Sequence, residues 1–292
     1  MRGDGPEAPR VVAVGGGHGL AASLQAVRRY AGEVTAIVSV ADDGGSSGRL
    51  RSALGIPAPG DLRRCLVALG DGRSVWSRAL DHRFDAGELE GHALGNLMIA
   101  GVARATGDFI LALDEVGRLV QAAGRVLPAT TGPVVLKAET DGGQVEGQVA
   151  VAGTDGISRV SIVPPDAEPP AAAVEAVARA DQVVIGPGSL YTSILAVVAV
   201  PALCDALERT QARKVYVCNL RPQVPETEGY DVAAHVEALA AHGLVVDTVV
   251  CDPSGVALGD VRVPVHQREV ARADGRGHDP AKLAEALAGL VG

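Results

Sequence analysis

The stretch that decides the fold is residues 10–40, RVVAVGGGHGLAASLQAVRRYAGEVTAIVSV. It opens with a short apolar run that ends in a glycine cluster, GGGHG at 15–19. Apolar residues then recur with helical spacing, as Leu20, Leu24 and Val27, and a second β-branched run closes the stretch. Strand, glycine loop, helix and strand in this order predict the first unit of a parallel α/β sheet.

The rest of the chain continues this alternation, with one exception. Residues 134–139 and 145–151 flank the turn TDGGQ at 140–144, which predicts an antiparallel hairpin. We therefore predict an α/β fold with a mainly parallel sheet and a small antiparallel hairpin appendage. Because no linker interrupts the alternation, we expect residues 1–9 to be a flexible tail and residues 10–292 to be a single domain. Predicted strands cover residues 10–14, 34–40, 182–185, 214–218 and 245–251, and predicted helices cover residues 20–30, 61–69, 74–83, 91–106, 108–122, 171–180, 189–198, 231–241 and 280–291.

Composition limits the function classes. The 292 residues carry a formal net charge of −9 and a pI near 5.3. This balance disfavours nucleic-acid binding, because a basic face supplies most of that affinity. No apolar run reaches about 18 residues, and no charged-then-apolar leader opens the chain, so we expect no membrane span and a cytoplasmic location.

Cysteine and histidine spacing gives no metal signal. The four cysteines form no CxxC pair, so a zinc site is not expected and buried reduced thiols are the simpler interpretation. The seven histidines show no ligand spacing either.

Four predicted strands end in loops that are suited to binding. Ligands of open α/β sheets bind at the carboxyl ends of the strands. Here the predicted strands ending at Val14, Val40, Ile185 and Cys218 lead into glycine-rich or polar segments. If these loops share one edge of the sheet, they form one extended crevice.

The first loop leaves two interpretations open. The stretch GHGLAA at 17–22 fits the pattern G-x-G-x-x-A, and Asp42 follows the next strand, as in a dinucleotide-binding fingerprint. Glycine there would let a phosphate approach the main chain at a helix start. The same residues also fit a tight turn that needs glycine for packing. An NAD-type oxidoreductase is therefore an alternative, although no catalytic pair accompanies the pattern.

The second loop, ADDGGSSG at 41–48, concentrates polar groups. Asp42 and Asp43 could hold a divalent cation, grip ribose hydroxyls or orient a nucleophile, and Ser46 and Ser47 could donate to phosphate. A solvated polar loop with an Asx turn and a helix cap explains the same residues equally well.

The third loop, GPGS at 186–189, predicts either a second phosphate cradle or a helix capped by Ser189. Tyr191 follows closely enough to stack on a base or sugar. Asn96, on an otherwise apolar helix, needs polar partners if it is buried. His92 is expected to be a cap or surface residue, and the sequence signals no Ser-His-Asp or Cys-His arrangement and no P-loop motif.

Six ordered stretches together resemble one known family. They are GGGHGL at 15–20, VSVADDGGSSGRL at 38–50, PGDLRRCLVAL at 59–69, GHALGN at 91–96, GPGSLYTS at 186–193 and VYVCN at 215–219. The chain is similar to the YvcK-type gluconeogenesis factors, which fall within the superfamily of the 2-phospho-L-lactate transferase CofD. The resemblance covers roughly residues 11–251.

The resemblance implies a Rossmann-like three-layer fold and a regulatory protein. Its ligand would be UDP-N-acetylglucosamine or another nucleotide-diphosphate compound, with a role in cell shape, envelope synthesis and gluconeogenic growth. We expect no catalytic residues, no required cofactor, a homo-oligomer and a regulatory protein partner. CofD relatives bind a guanosine nucleotide and transfer a phospholactyl group, so the alternative is a transferase of a phosphorus-containing group that uses a nucleotide-activated donor and Mg²⁺.

By the same resemblance, four loops and one helix line the ligand site. The residues are Gly15, Gly16, Gly17, His18, Gly19, Asp42, Asp43, Ser46, Ser47, Asn96, Gly186, Gly188, Ser189, Leu190, Tyr191, Thr192 and Asn219.

Overall fold

The computed structural model describes residues 8–291, which form two β-sheets and the helices that cover them. The described strands are β1 (Arg10–Gly15), β2 (Glu33–Val38), β3 (Arg125–Pro128), β4 (Val135–Thr140), β5 (Gly143–Glu146), β6 (Ile157–Val163), β7 (Gln182–Ile185), β8 (Arg213–Val217), β9 (Thr248–Cys251) and β10 (Val265–Gln267). The described α-helices are α1 (Gly17–Val27), α2 (Gly45–Leu54), α3 (Gly60–Leu69), α4 (Val75–Asp81), α5 (Leu94–Thr106), α6 (Phe109–Leu119), α7 (Gln148–Ala152), α8 (Ala171–Arg179), α9 (Leu195–Val198), α10 (Pro201–Arg209), α11 (Val232–Ala241) and α12 (Pro280–Ala288). A 3₁₀ turn covers Gly87–Leu89, and a π-helical turn, Leu190–Ile194, leads directly into α9.

The large sheet has the strand order β10-β9-β8-β7-β1-β2-β3, and every neighbouring pair is parallel. Its central strands are apolar: β7 is buried along its whole length and β1 at every residue after Arg10. Such runs are typical of parallel strands that are covered on both faces. The predicted mainly parallel α/β fold is confirmed.

The chain order makes a switch point at the centre of this sheet. From β1 the chain moves through α1 to β2, and from β7 it moves through α9 and α10 to β8, in the opposite direction. Because such crossovers are right-handed, the two sets of helices cover opposite faces. The strands β1 and β7 are neighbours, so a crevice opens at their carboxyl ends, where ligands of this architecture bind.

The small sheet, in the order β5-β4-β6, is antiparallel. The hairpin between β4 and β5 is confirmed, but the prediction of one strand over residues 145–151 is wrong. That segment breaks at Gly147, whose φ is +97°, and continues as α7. The Asp43 carboxylate accepts hydrogen bonds from the backbone N–H groups of Gln148 and Val149, both at 3.0 Å, and so stabilises the helix start.

The prediction that residues 41–48 form a loop is wrong in its second half, where α2 begins at Gly45. Of the tail predicted over residues 1–9, residues 1–7 lie outside the described residues. The Pro9 carbonyl accepts hydrogen bonds from the backbone N–H groups of Gly32 and Glu33.

In the part of the chain that the structure describes, no single helix is long and apolar enough to cross a membrane. The bent pair Leu190–Val198 and Pro201–Arg209 passes that test of length and composition only when its two helices, at 80° to each other, are counted together.

Candidate functional site

Two cavities flank the loops that follow β1 and β7. The arginine cavity, of about 690 Å³, is lined by His18, Gly19, Ala21, Ala22, Gln25, Pro187, Gly188, Asn219, Leu220, Arg221, Gln223, Arg272, Gly275, Arg276, Gly277 and His278. The serine cavity, of about 350 Å³, is lined by Gly17, Ser39, Asp42, Gly44, Gly45, Ser46, Ser47, Gly60, Asp61, Arg63, Arg64, Arg83, Asn96, Gln148, Ser189, Thr192 and Ser193. Both therefore lie at the switch point of the large sheet.

The arginine cavity is electropositive in an acidic protein. Its described lining contains three arginines and no Asp or Glu, although the chain carries a net charge of −9. Burial lowers the pKa of His278 to about 4, so this imidazole is neutral near pH 7. Its Nε2 lies 3.2 Å from the Cys218 carbonyl oxygen, and a neutral ring that donates there keeps Nδ1 as an acceptor. The cavity therefore combines three arginines with a neutral imidazole.

The wall between the cavities is held by Asn219. Its Oδ1 accepts from the Gly188 N–H at 3.0 Å, and its Nδ2 donates to the Gly188 carbonyl at 2.9 Å. On the other side, a Cβ at Gly19 would overlap the Pro187 carbonyl oxygen. Glycine is needed at position 19 because the two loops pack backbone against backbone.

The serine cavity contains two carboxylates. Asp42 Oδ1 accepts from the Gly44 N–H at 3.0 Å, and Asp61 Oδ2 accepts from the Gly17 N–H at 2.7 Å. Burial raises the pKa of Asp42, against the hydrogen bonds from Gly44 and Ser47 and with a contribution from the nearby Asp61. The other oxygen of Asp61 pairs with Arg64.

A chain of hydrogen bonds fixes Ser46 in the first turn of α2. Arg63, which is only 3% exposed, pairs with Asp81 and donates from Nε to Asn96 Oδ1 at 3.1 Å. Asn96 Nδ2 donates to Ser46 Oγ at 3.0 Å, and Ser46 Oγ lies 2.9 Å from His92 Nδ1. Asn96 is buried and has the polar partners that a buried amide needs. Nothing in the sequence signals this contact between Ser46 and His92, because the approach of α2 to the segment before α5 is a tertiary contact.

Carboxylates of the protein itself occupy two helix starts at this edge. Asp61 accepts from Gly17 at the start of α1. Glu226 Oε1 accepts from the N–H groups of Tyr191 at 2.7 Å and Thr192 at 3.4 Å. The cap predicted at Ser189 is therefore wrong: the Ser189 side chain makes no capping bond. Asp43 likewise accepts from the N–H groups at the start of α7.

The predicted site residues separate into three groups. Gly17, Asp42, Ser46, Ser47, Asn96, Ser189 and Thr192 line the serine cavity. His18, Gly19, Gly188 and Asn219 line the arginine cavity. Lying outside both linings are Gly15, Gly16, Asp43, Gly186, Leu190 and Tyr191.

Tyr191 differs most from its prediction. Its side chain is 2% exposed, and its hydroxyl lies 2.8 Å from the Tyr230 hydroxyl. It is packed into the core and cannot stack on a ligand in either cavity in this conformation.

Apart from Asp42, sequence reasoning missed the charged residues of both cavities. Arg63 and Arg64 carried a signal, because two adjacent arginines follow Gly60 and Asp61 at the start of a helix that is otherwise apolar. The loop arginines gave none, since nothing in the sequence places residues 272–278 beside the glycine loops. The missed lining residues include Asp61, Arg63, Arg64, Arg83, Gln148, Ser193, Arg221, Gln223, Arg272, Arg276 and His278.

Comparison with family models and known proteins gives consistent matches. Residues 11–278 match the model described as 2-phospho-L-lactate transferase CofD. A Mycobacterium leprae protein is 44% identical over 97% of this chain and 86% of its own length. The Bacillus subtilis protein called gluconeogenesis factor is 43% identical over 80% of this chain and 75% of its own length.

A solved structure shares the fold. The crystal structure of a UPF0052 family member from Bacillus halodurans has a TM-score of 0.92 and 36% identity, and the match covers 97% of this chain and 100% of that one.

Proposed function

The chain belongs to the CofD family, and from this premise we propose that it binds a nucleotide sugar, UDP-N-acetylglucosamine, as a regulatory protein. Its binding state would influence cell shape, envelope synthesis and gluconeogenic growth. This proposal treats the chain as a sensor whose ligand is bound and released unchanged.

The observation that carries the proposal is the unequal charge of the two cavities. Three arginines without an opposing carboxylate in the described lining favour a polyanion in the arginine cavity. The serine cavity also has three arginines, but Arg63 and Arg64 pair with Asp81 and Asp61. Its hydroxyls, amides and carboxylates suit the hydroxyl groups of a sugar. The nucleoside diphosphate would lie in the arginine cavity and its sugar in the serine cavity, so the ligand would cross the glycine loops between the two cavities.

The direct test is a calorimetric titration of the purified chain with UDP-N-acetylglucosamine, with GDP and NAD as comparators, each with and without Mg²⁺. We expect saturable binding that is selective for the UDP-sugar. Absence of binding heat at saturating ligand would refute the proposal, and preference for NAD would favour the oxidoreductase alternative.

The second candidate is a transferase of a phosphorus-containing group, favoured by Asp42 and Asp61 in one cavity. The described residues do not fit a Mg²⁺ site on their own. They include no group of three or more His, Cys, Asp or Glu suited to a metal, and both Asp61 oxygens already have partners. Consumption of a nucleotide-activated donor in the presence of Mg²⁺ would support this candidate, whereas an intact donor after long incubation would count against it.

A further inference from the structure

The hydrogen bonds around Ser46 can be assigned by their donors. Arg63 Nε can only donate, so the Asn96 atom facing it is the carbonyl oxygen, and the Asn96 atom facing Ser46 is the amide nitrogen. Ser46 Oγ thus accepts from Asn96 and retains its own proton. That proton is directed at His92 Nδ1, 2.9 Å away, when the imidazole is protonated on Nε2.

His92 is suited to accept this proton. Burial, together with the nearby Arg49 and Arg83, lowers its pKa, so the ring is neutral near pH 7. A neutral imidazole within hydrogen-bond distance of a serine hydroxyl is the arrangement that activates serine as a nucleophile. Asn96 holds the oxygen in place through Arg63 and Asp81.

The surroundings of Ser46 favour an anionic electrophile. Ser46 lines the serine cavity together with Arg83, which has no carboxylate partner among the described residues, and with Arg63 and Arg64, which pair with Asp81 and Asp61. It also lies in the first turn of α2, where no described side chain caps the free N–H groups. Positive charge and free N–H groups around a nucleophilic oxygen are what a phosphoryl group undergoing attack requires.

We propose that Ser46 is a nucleophile and His92 its general base, acting on the sugar-side phosphorus of a phosphoric anhydride where it reaches the serine cavity from the arginine cavity. This inference rests on the proposed function for its donor, a nucleoside diphosphate ester, and departs from it in one respect, because it adds a chemical step that consumes the ligand. The chain would then turn over its ligand slowly rather than only sense it.

The step balances. Ser46 Oγ forms a bond to phosphorus, the anhydride P–O bond breaks, and the nucleoside monophosphate leaves with that electron pair. The hydroxyl proton passes to His92 Nδ1, which releases it to solvent. Water then attacks the same phosphorus, His92 takes its proton and returns it to Ser46 Oγ as the seryl P–O bond breaks.

The test uses diisopropyl fluorophosphate, an organophosphorus fluoride that reports nucleophilic serines without requiring the nucleotide. Attack forms the Oγ–P bond and expels fluoride. We expect peptide mass spectrometry to find the label on Ser46. His92→Gln leaves the Ser46–Asn96 bond intact and should slow labelling by about 100-fold, the contribution of a general base. Ser52→Ala, an exposed serine on the same helix, is the matched control and should label at the wild-type rate.

Two results would overturn the inference: no label on Ser46, or an unchanged labelling rate in a folded His92→Gln variant. Folding is checked by circular dichroism, and His92→Gln is the key variant because Ser46→Ala also removes the acceptor of Asn96. Labelling without UDP-sugar binding would refute the proposed function alone. UDP-sugar binding without labelling would refute only this inference.

Discussion

The Arg276 guanidinium lines the arginine cavity and has no side-chain partner among the described residues. Its charge is therefore available to a ligand. A hydrogen bond to a charged group contributes about 1.5–3 kcal/mol, so we expect Arg276→Ala to weaken UDP-N-acetylglucosamine binding by about 10- to 150-fold in calorimetry.

The matched control is Arg262→Ala, which removes an exposed arginine that lies outside both cavities. It changes the net charge equally and should leave the affinity within error. Equal affinities for the two variants would mean that the arginine cavity does not hold the diphosphate.

Residue types and their positions after strands predicted part of the site, and the wrong assignments have physical reasons. Glycines and Asn219 were found because they follow strand ends, and parallel strands bring their carboxyl ends to one edge. Asp43 and Tyr191 were assigned to the ligand because their types suit it. In the structure Asp43 stabilises a helix more than 100 residues away, and Tyr191 enters the core. The direction of a side chain depends on tertiary packing, which local sequence does not contain.

At the scale of secondary-structure elements, the N–H groups of the π-helical turn Leu190–Ile194 are held by Glu226, from a different segment. Glu226 accepts from the N–H groups of Tyr191 and Thr192 and from the Thr192 hydroxyl, while burial raises its pKa. Glu226→Gln keeps one acceptor but removes the charge from a buried cap. We expect it to lower the free energy of unfolding by about 1–2 kcal/mol, measured by urea denaturation.

Glu228→Gln provides the comparison, because Glu228 lies two residues further along the same loop and is exposed. It should unfold at the wild-type urea concentration. If both variants unfold at the same urea concentration, Glu226 does not stabilise the π-helical turn that follows the loop at residues 186–189.

Helices and strands whose apolar residues recur at a regular spacing were predicted from the sequence. Elements that depend on tertiary contacts were not. The first strand–helix–strand unit appears as expected, although α1 begins at Gly17, inside the glycine loop. The start of α7 needs the Asp43 carboxylate, and its residues 148–151 alone read as β-branched strand. Strands as short as β3 and β10, of four and three residues, carry too few positions for a period to show.

Over the whole molecule, one hydrophobic cluster joins residues of both sheets, including Val14 of β1 and Leu136 of β4. His278, a lining residue of the arginine cavity, is 6% exposed and contacts the carbonyl of Cys218, which belongs to this cluster. Folding therefore removes this imidazole from water and links the stability of the entire chain to its protonation.

The stability of the molecule should fall on acidification because of His278. In the unfolded chain its pKa returns to about 6.5, whereas in the folded chain it is about 4. Between these values the unfolded state binds more protons, so stability is lost as the pH falls through this window. From about pH 7 to about pH 5 the expected contribution is about 2 kcal/mol in the free energy of unfolding.

Asp42 and Glu226 have raised pKa values, so their contributions to stability change with pH in the opposite direction to that of His278. A variant at His278 therefore isolates the contribution of this imidazole. Urea denaturation at both pH values should show a smaller loss for His278→Gln than for wild type, even if this variant is less stable throughout. His82→Gln, at an exposed histidine, should retain the full wild-type loss. An unchanged pH dependence in His278→Gln would mean that this imidazole is protonated alike in the folded and unfolded states, and that the ring in the arginine cavity is not held neutral by burial.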